Sequence, residues 1–298
     1  MILGMLVGML AGASGPWAEV ARAAPAPFRA GEAFIYKFSV GAIEAGQARM
    51  SVGVPERHQG ARLVAIQADA HSAPWLGLLV RLDETYQVIL EADRLLPRRV
   101  VSNETGVRVR TIRAELAGPQ VKLRFTTPTK DQQTQRVLPG PARDPVAALF
   151  ALRAAPLAEG ERLVQLMLDG VVLYQVSCTV VAREELRLEN EQRTTTIRTI
   201  HVEALAQRID DLGQPTSQPA RRFHIWLSDD DRRIPCRLIG HTDLGEGRLE
   251  LTSYIPPGGV PADLGSGDAA RSRQGPARPR SSEREAEPRS TSTGGISP

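Results

Sequence analysis

Between residues 33 and 40 the chain alternates, with Phe34, Tyr36, Phe38 and Val40 on one side and Ala33, Lys37 and Ser39 on the other. A period of two is the signature of a strand with one buried face. Residues 41–46, rich in Gly and Ala, read as a turn, and 47–54 as the returning strand. Further strands are predicted at 62–70, 84–91, 98–103, 107–116 and 120–126, at the short spacing of an antiparallel meander. In the last of these Val121, Leu123 and Phe125 oppose Lys122 and Arg124. The polar stretch 127–143 reads as a loop.

The period then changes. Asp144 suits a helix N-cap, Pro145 the first helical position, 146–153 is rich in Ala and Leu, and Pro156 ends the run. Strands resume at 162–168 and 171–182 around an Asp169-Gly170 turn, and continue at 194–205, 221–227, 233–241 and 248–254. Residues 75–80 allow a short helical turn. About a dozen strands and one firm helix are therefore expected, without the regular helical crossovers of a parallel sheet. The predicted class is mainly β: a curved antiparallel sheet, open barrel or sandwich, with one packed helix.

At the ends of the chain the periodicity disappears. Residues 1–13 are apolar or small, the length of a signal-peptide core and short for a bilayer span. Gly15, Pro16 and then Ala21-Arg22-Ala23 follow, a pattern that suits a signal peptidase, although no Lys or Arg precedes the apolar run. Residues 1–24 are read as an export segment rather than a stable transmembrane anchor, which implies a periplasmic or otherwise exported protein. Residues 25–256 are read as a single β-rich domain. Residues 257–298, dominated by Gly, Pro, Ser, Arg and Glu, are read as a disordered tail, since such a composition buries too little surface to offset its ordering entropy.

Composition acts mainly by exclusion. With 42% hydrophobic residues the 298-residue chain can bury a core, while 4% aromatics and a formal net charge of +3 argue against a nucleic-acid partner. Cys178 and Cys236, if bridged, close a loop of about 59 residues, worth roughly 4 kcal/mol. Two separate buried thiols are the other reading.

Three stretches together resemble the bacterial family catalogued as domain of unknown function 3108. They are Ala30-Gly31-Glu32-Ala33-Phe34-Ile35-Tyr36-Lys37 through Ala45-Gly46; Asp144 to Arg153 with Leu157 and Gly160; and Ile225-Trp226-Leu227-Ser228-Asp229-Asp230-Asp231-Arg232-Arg233-Ile234-Pro235, closing with Glu250-Leu251-Thr252-Ser253-Tyr254. The resemblance covers about 28–254 and implies an exported, β-rich envelope protein. It supplies no reaction, cofactor or catalytic residue. A polar insert at 183–193 and the long tail depart from the expected pattern.

Few residues suggest chemistry. The chain has no Gly-x-Ser-x-Gly elbow and no His-Glu-x-x-His, and no cofactor is indicated. Asp229, Asp230 and Asp231 lack the spacing of a calcium loop and read as a solvated turn. Of the scattered His58, His71, His201, His224 and His241, the pair His224 and His241 lies in neighbouring strands and could meet, without further ligands for a metal. The meander is basic. Arg98, Arg108, Arg110, Lys122 and Arg124 form a candidate anionic-ligand patch, because Arg108 and Arg110 share strand parity, as do Lys122 and Arg124. The apolar run at 74–80, with Trp75 and Leu78, is a candidate lid over an internal cavity or a piece of core. These features lead to the expectation of a non-catalytic envelope protein binding an amphipathic or anionic component, such as a lipid or envelope polymer. The alternatives are a structural partner in an envelope complex and an envelope hydrolase.

Overall fold

The structure, a computed structural model, describes residues 28–75, 81–106, 108–189, 194–242 and 245–258. The export segment, Leu78 and the tail beyond residue 258 lie outside them. The first half of the chain is a meander: β1 (Ala33–Val40), β2 (Ile43–Val52), the short β3 (Glu56–His58), β4 (Ala61–Ser72), β5 (Leu82–Glu91), β6 (Leu96–Gly106), β7 (Arg110–Ala117), β8 (Gln120–Thr127) and β9 (Lys130–Val137). Helix α1 (Pro145–Ala154) follows. The second half is β10 (Arg162–Asp169), β11 (Val172–Glu189), β12 (Thr194–Ile209), β13 (Arg221–Ser228), β14 (Pro235–Thr242) and β15 (Gly245–Ile255).

All fifteen strands form one antiparallel sheet in the order β10-β11-β12-β13-β14-β15-β1-β2-β4-β5-β6-β7-β8-β9, with β3 paired to β4. Each half is a run of sequential neighbours. They are joined where β1 pairs with β15, from Ala33 opposite Ile255 to Val40 opposite Gly247. At Gly46 the backbones of β2 and β4 come so close that a Cβ would lie 2.1 Å from the His71 carbonyl oxygen.

This topology explains the position of the helix. The chain leaves one outermost strand, β9, and must reach the other, β10, so the connection crosses the interior. Asp144 caps α1 by accepting from the Val146 and Ala147 N–H groups, and Ala155, extended ahead of Pro156, ends it. Val146, Ala147 and Phe150 pack into a core cluster drawn largely from β1–β8, which also takes in Leu166, Leu173 and Leu249 of the second half, and Ala148 and Leu152 pack into a second cluster built mainly from β11–β13. A helix apolar on all sides but for Arg153 in its last turn suits an interior position. The two ends of the sheet also approach each other. Arg136 on β9 pairs with Asp211 and donates to the Val171 carbonyl in the β10–β11 turn, while Arg143 runs beside β10 with backbone bonds of 2.9 and 2.7 Å to Leu166 and Leu168.

Several segments differ from the sequence-based expectation. Of the residues 41–46 read as a turn, 43–46 already belong to β2, with Ile43 opposite Val40. The stretch 127–143, expected to be a loop, contains β9, whose residues are polar except for Val137 and nearly all exposed. As an outermost strand with no buried face it has no apolar alternation to read. Of the polar insert at 183–193, residues 183–189 continue β11, whose end at Glu189 pairs with Thr194 at the start of β12; the rest of the insert lies outside the described residues. Arg237 and Lys37, from β14 and β1, donate to the Arg187 and Glu189 carbonyls.

The three motif stretches converge at a single buried point. Arg153, in the last turn of α1, forms a double ion pair with Glu32 at 2.9 and 3.3 Å, and donates to the carbonyls of Arg232 and Arg233 in the β13–β14 turn. Glu32 also accepts from Tyr254 Oη at 3.2 Å and from the Arg29 N–H. The guanidinium lies over the rings of Phe150 and Phe34, 4.8 and 5.2 Å from their centroids.

Cys178 and Cys236 are both buried and unbridged. They lie on β11 and β14 with two strands between them, which sets their backbones about 14 Å apart, beyond disulfide reach. The bridge entertained from the sequence is therefore not formed. Burial pushes both thiols up to about 12.

Candidate interior binding site

Inward-facing positions of the sheet are apolar along most of its width. Between α1 and the sheet they leave a cavity of about 120 Å³, lined by Tyr36, Met50, Ala70, Leu149, Leu152 and Phe223 among others. A second cavity of about 210 Å³ lies between β5–β7 and the β10–β11 turn, and is more polar, with Ser102, Arg110, Asp144 and Tyr174 in its wall. Glu84, Tyr86, Pro145 and Asp169 line both.

The wall between the cavities is acidic. In β5 the alternation that turns Tyr86, Val88 and Leu90 inward also turns Glu84 inward. In register Glu84 lies opposite Glu104 on β6, and Glu104 opposite Arg110 on β7. Arg110 donates to Glu104 at 2.6 Å, and Glu84 accepts from Ser102 Oγ at 3.4 Å. Two carboxylates directly opposed on an inner face are unfavourable unless something offsets their repulsion. Asp144, 2% exposed, accepts from Tyr86 Oη at 2.8 Å as well as from its own helix, yet burial still pushes its carboxyl up to about 6. Asp169, at the end of β10, is also pushed up to about 6 by burial, against positive charge that includes Arg110, with the charge of Glu84 adding to the rise.

The basic residues singled out in the sequence do not form one row. The apolar set of β7 is Ile112, Ala114 and Leu116, so Arg110 shares their inward phase; that of β8 is Val121, Leu123 and Phe125, so Lys122 and Arg124 point outward. Parity within each strand was legible, but the phase between strands is set by their turns. Arg98 pairs with Glu91 at 2.5 Å and Arg124 with Asp131 at 2.5 Å, while Lys122 lies opposite Glu115. Arg108 precedes β7 and is exposed. Trp75 is 53% exposed and does not line either interior cavity; its companion in the lid reading, Leu78, is outside the described residues.

The histidines pair differently from expectation. His224 meets His201 on β12, Nδ1 to Nε2 at 3.0 Å, rather than His241; His201 stacks on Trp226 with centroids 4.4 Å apart. Among the described residues no group of three or more His, Cys, Asp or Glu side chains is placed to hold a metal ion. Asp230 organises the β13–β14 turn, accepting from Ser228 Oγ at 2.7 Å and from the Arg232 and Arg233 N–H groups, in keeping with a turn reading of that acidic run.

Comparison with known proteins gives a family and no activity. The profile of a family described as a protein of unknown function, DUF3108, matches residues 35–252. The chain belongs to that family. Within DUF3108 the matched region runs from β1 to β15 and thus contains α1, both interior cavities and the acidic wall. A search of the curated proteins returns no match. Among solved structures, the chain is similar to a β-barrel-like protein of domain of unknown function DUF1849 from Brucella abortus, at 11% identity and a TM-score of 0.47, covering 76% of this chain and 97% of that one. A protein from Bacteroides fragilis assigned as exported, with a YmcC-like fold, is 10% identical with a TM-score of 0.33 over 76% of this chain and 97% of its own. A protein from Parabacteroides distasonis assigned as a lipoprotein is 9% identical with a TM-score of 0.33, over 76% and 95%. Among the described residues no helix is long and apolar enough to cross a membrane.

Proposed function

We propose that this DUF3108 protein is an exported, non-catalytic binding protein that holds the apolar part of an amphipathic envelope molecule between α1 and the sheet. The observation that carries the reading is the apolar cavity against Leu149 and Leu152, which shares Glu84 and Asp169 with a more polar one. A cavity of this size with an apolar lining resembles those that stay dry and accept small hydrophobic molecules. Each methylene transferred from water into it is worth about 0.8 kcal/mol, so even a short acyl chain supplies a usable affinity. The apolar run at residues 1–13, followed by Ala21-Arg22-Ala23, supports export to a compartment where such molecules are available.

The test is chemical. Full-length protein is isolated from the envelope fraction of bacteria that express it, extracted with organic solvent, and the extract is analysed by mass spectrometry against a mock preparation. A lipid-like molecule recovered in near-stoichiometric amount supports the reading. Empty protein that also fails to bind apolar probes added in solution overturns it.

A further inference from the structure

Gln165 on β10 is 5% exposed and lines the apolar cavity between α1 and the sheet. It shares its inward phase with Met167 and lies opposite Val176 on β11. The amide is tied to the helix by its nitrogen, for Nε2 donates to the Ala148 carbonyl at 3.3 Å. That carbonyl can only accept, so the amide cannot be turned round, and Oε1 is left as the free end. Among the described residues Oε1 has no hydrogen-bond partner. A buried acceptor without a donor is rare and costly, and it marks a place where a donor is received. Water suits that role poorly. It needs about two to four polar partners to be held, whereas Met167 beside Gln165, Val176 opposite and Leu152 one turn after Ala148 are apolar. The hydroxyls of the lining are engaged elsewhere: Tyr36 Oη donates to the Pro235 carbonyl at 3.0 Å and Tyr86 Oη to Asp144 at 2.8 Å. Arg49, also in the lining, alternates with the inward Ala48 and Met50, which assigns its side chain to the other face of β2.

We infer that the molecule held in the apolar cavity carries a hydroxyl on its apolar part, and that this hydroxyl donates to Gln165 Oε1. The inference rests on the binding role proposed above and adds the functional group by which one aliphatic chain is chosen over another. A single neutral acceptor in apolar surroundings calls for a single neutral donor. An ammonium group would bring three donors and a charge that nothing beside Gln165 offsets. An amide N–H would bring a carbonyl in need of a donor of its own, and the Tyr36 and Tyr86 hydroxyls are already engaged. A plain hydrocarbon would leave Oε1 unpaired. Gln165 and Asp169 are four residues apart on one strand, about 13 Å, so this hydroxyl is distinct from any head group lying at the more polar cavity. The ligand class is therefore a hydroxylated aliphatic chain.

The experiment compares 1-hexanol with its isomer 1-methoxypentane by isothermal titration of the full chain. The two probes have the same atoms and nearly the same size, but only the alcohol donates a hydrogen bond. 1-Hexanol is expected to bind roughly three- to tenfold more tightly, the range of one net neutral hydrogen bond. Gln165→Met, an apolar replacement of similar length, is expected to abolish or invert that preference, because a hydroxyl buried without a partner is costlier than an ether oxygen. Equal binding of the isomers by the unaltered protein, or tighter binding of the ether, overturns the hydroxyl inference and leaves the cavity reading intact. A preference that a folded Gln165→Met variant retains also overturns it. If the variant does not fold, the comparison on the unaltered protein decides. If neither isomer binds, the cavity reading fails as well.

Discussion

Arg153 and Glu32, 121 positions apart in sequence, form an ion pair whose side chains are 1% and 0% exposed. The pair ties the end of α1 to the chain leading into β1, and through the Arg232 and Arg233 carbonyls to the β13–β14 turn. Two full charges in the interior need nearly complete hydrogen bonding to be tolerated, and here the backbone and Tyr254 complete it. The helix is thereby held at a fixed depth inside the sheet, and that depth sets the size of the cavity.

Removing either partner leaves the other charge buried alone. Arg153→Met or Glu32→Gln is expected to cost about 3–5 kcal/mol in urea unfolding, and the double variant much less than the sum of the two. Additive losses in the double-mutant cycle would show that the residues act independently.

The N-cap makes stability depend on pH. The Asp144 carboxyl is raised by burial from 3.8 to about 6, so between these values the folded protein keeps a proton that the unfolded chain has lost. This contribution is greatest below pH 4 and is lost as the pH rises through about 6, by up to about 3 kcal/mol for a shift of about two units. Asp144→Asn keeps an acceptor for the Ala147 N–H and cannot ionise. Relative to the unaltered protein it should gain stability on going from pH 4.5 to 7.5, as read by urea midpoints. Parallel pH profiles would contradict the assignment.

The thiols are expected to be silent in the folded state. Cys178 and Cys236, each pushed up to about 12 by burial, should react with a thiol reagent only after unfolding, and reductant should leave the melting temperature unchanged. A melting temperature that falls by several degrees on reduction would indicate a structural bridge.

Much of the fold was written in local pattern. The alternation in 33–40 and 120–126, the Asp144-Pro145 helix start and the Asp169-Gly170 turn all reappear in the structure, because each depends on neighbours in sequence. Strand β9 was hidden because an outermost strand with neither face buried has no period. The meeting of Arg153 with Glu32 had no local signal at all. Glu84 did leave one: a carboxylate on the same parity as Tyr86, Val88 and Leu90 is a charge on an apolar face, and that exception marks the interior site. Asp169 was read only as half of a turn, and the topology alone brings it opposite Glu84.

The most direct test of the interior site is to fill it. Leu149 lines the cavity and is half-buried, so Leu149→Trp should occupy the space without disturbing the Arg153–Glu32 pair. Binding of the neutral fluorophore 1-N-phenylnaphthylamine is measured for both proteins alongside their melting temperatures. The account predicts saturable binding by the unaltered protein and a loss of at least about tenfold in the variant, with melting temperatures within a few degrees. Equal affinity for the two proteins, or no binding by either, would contradict it.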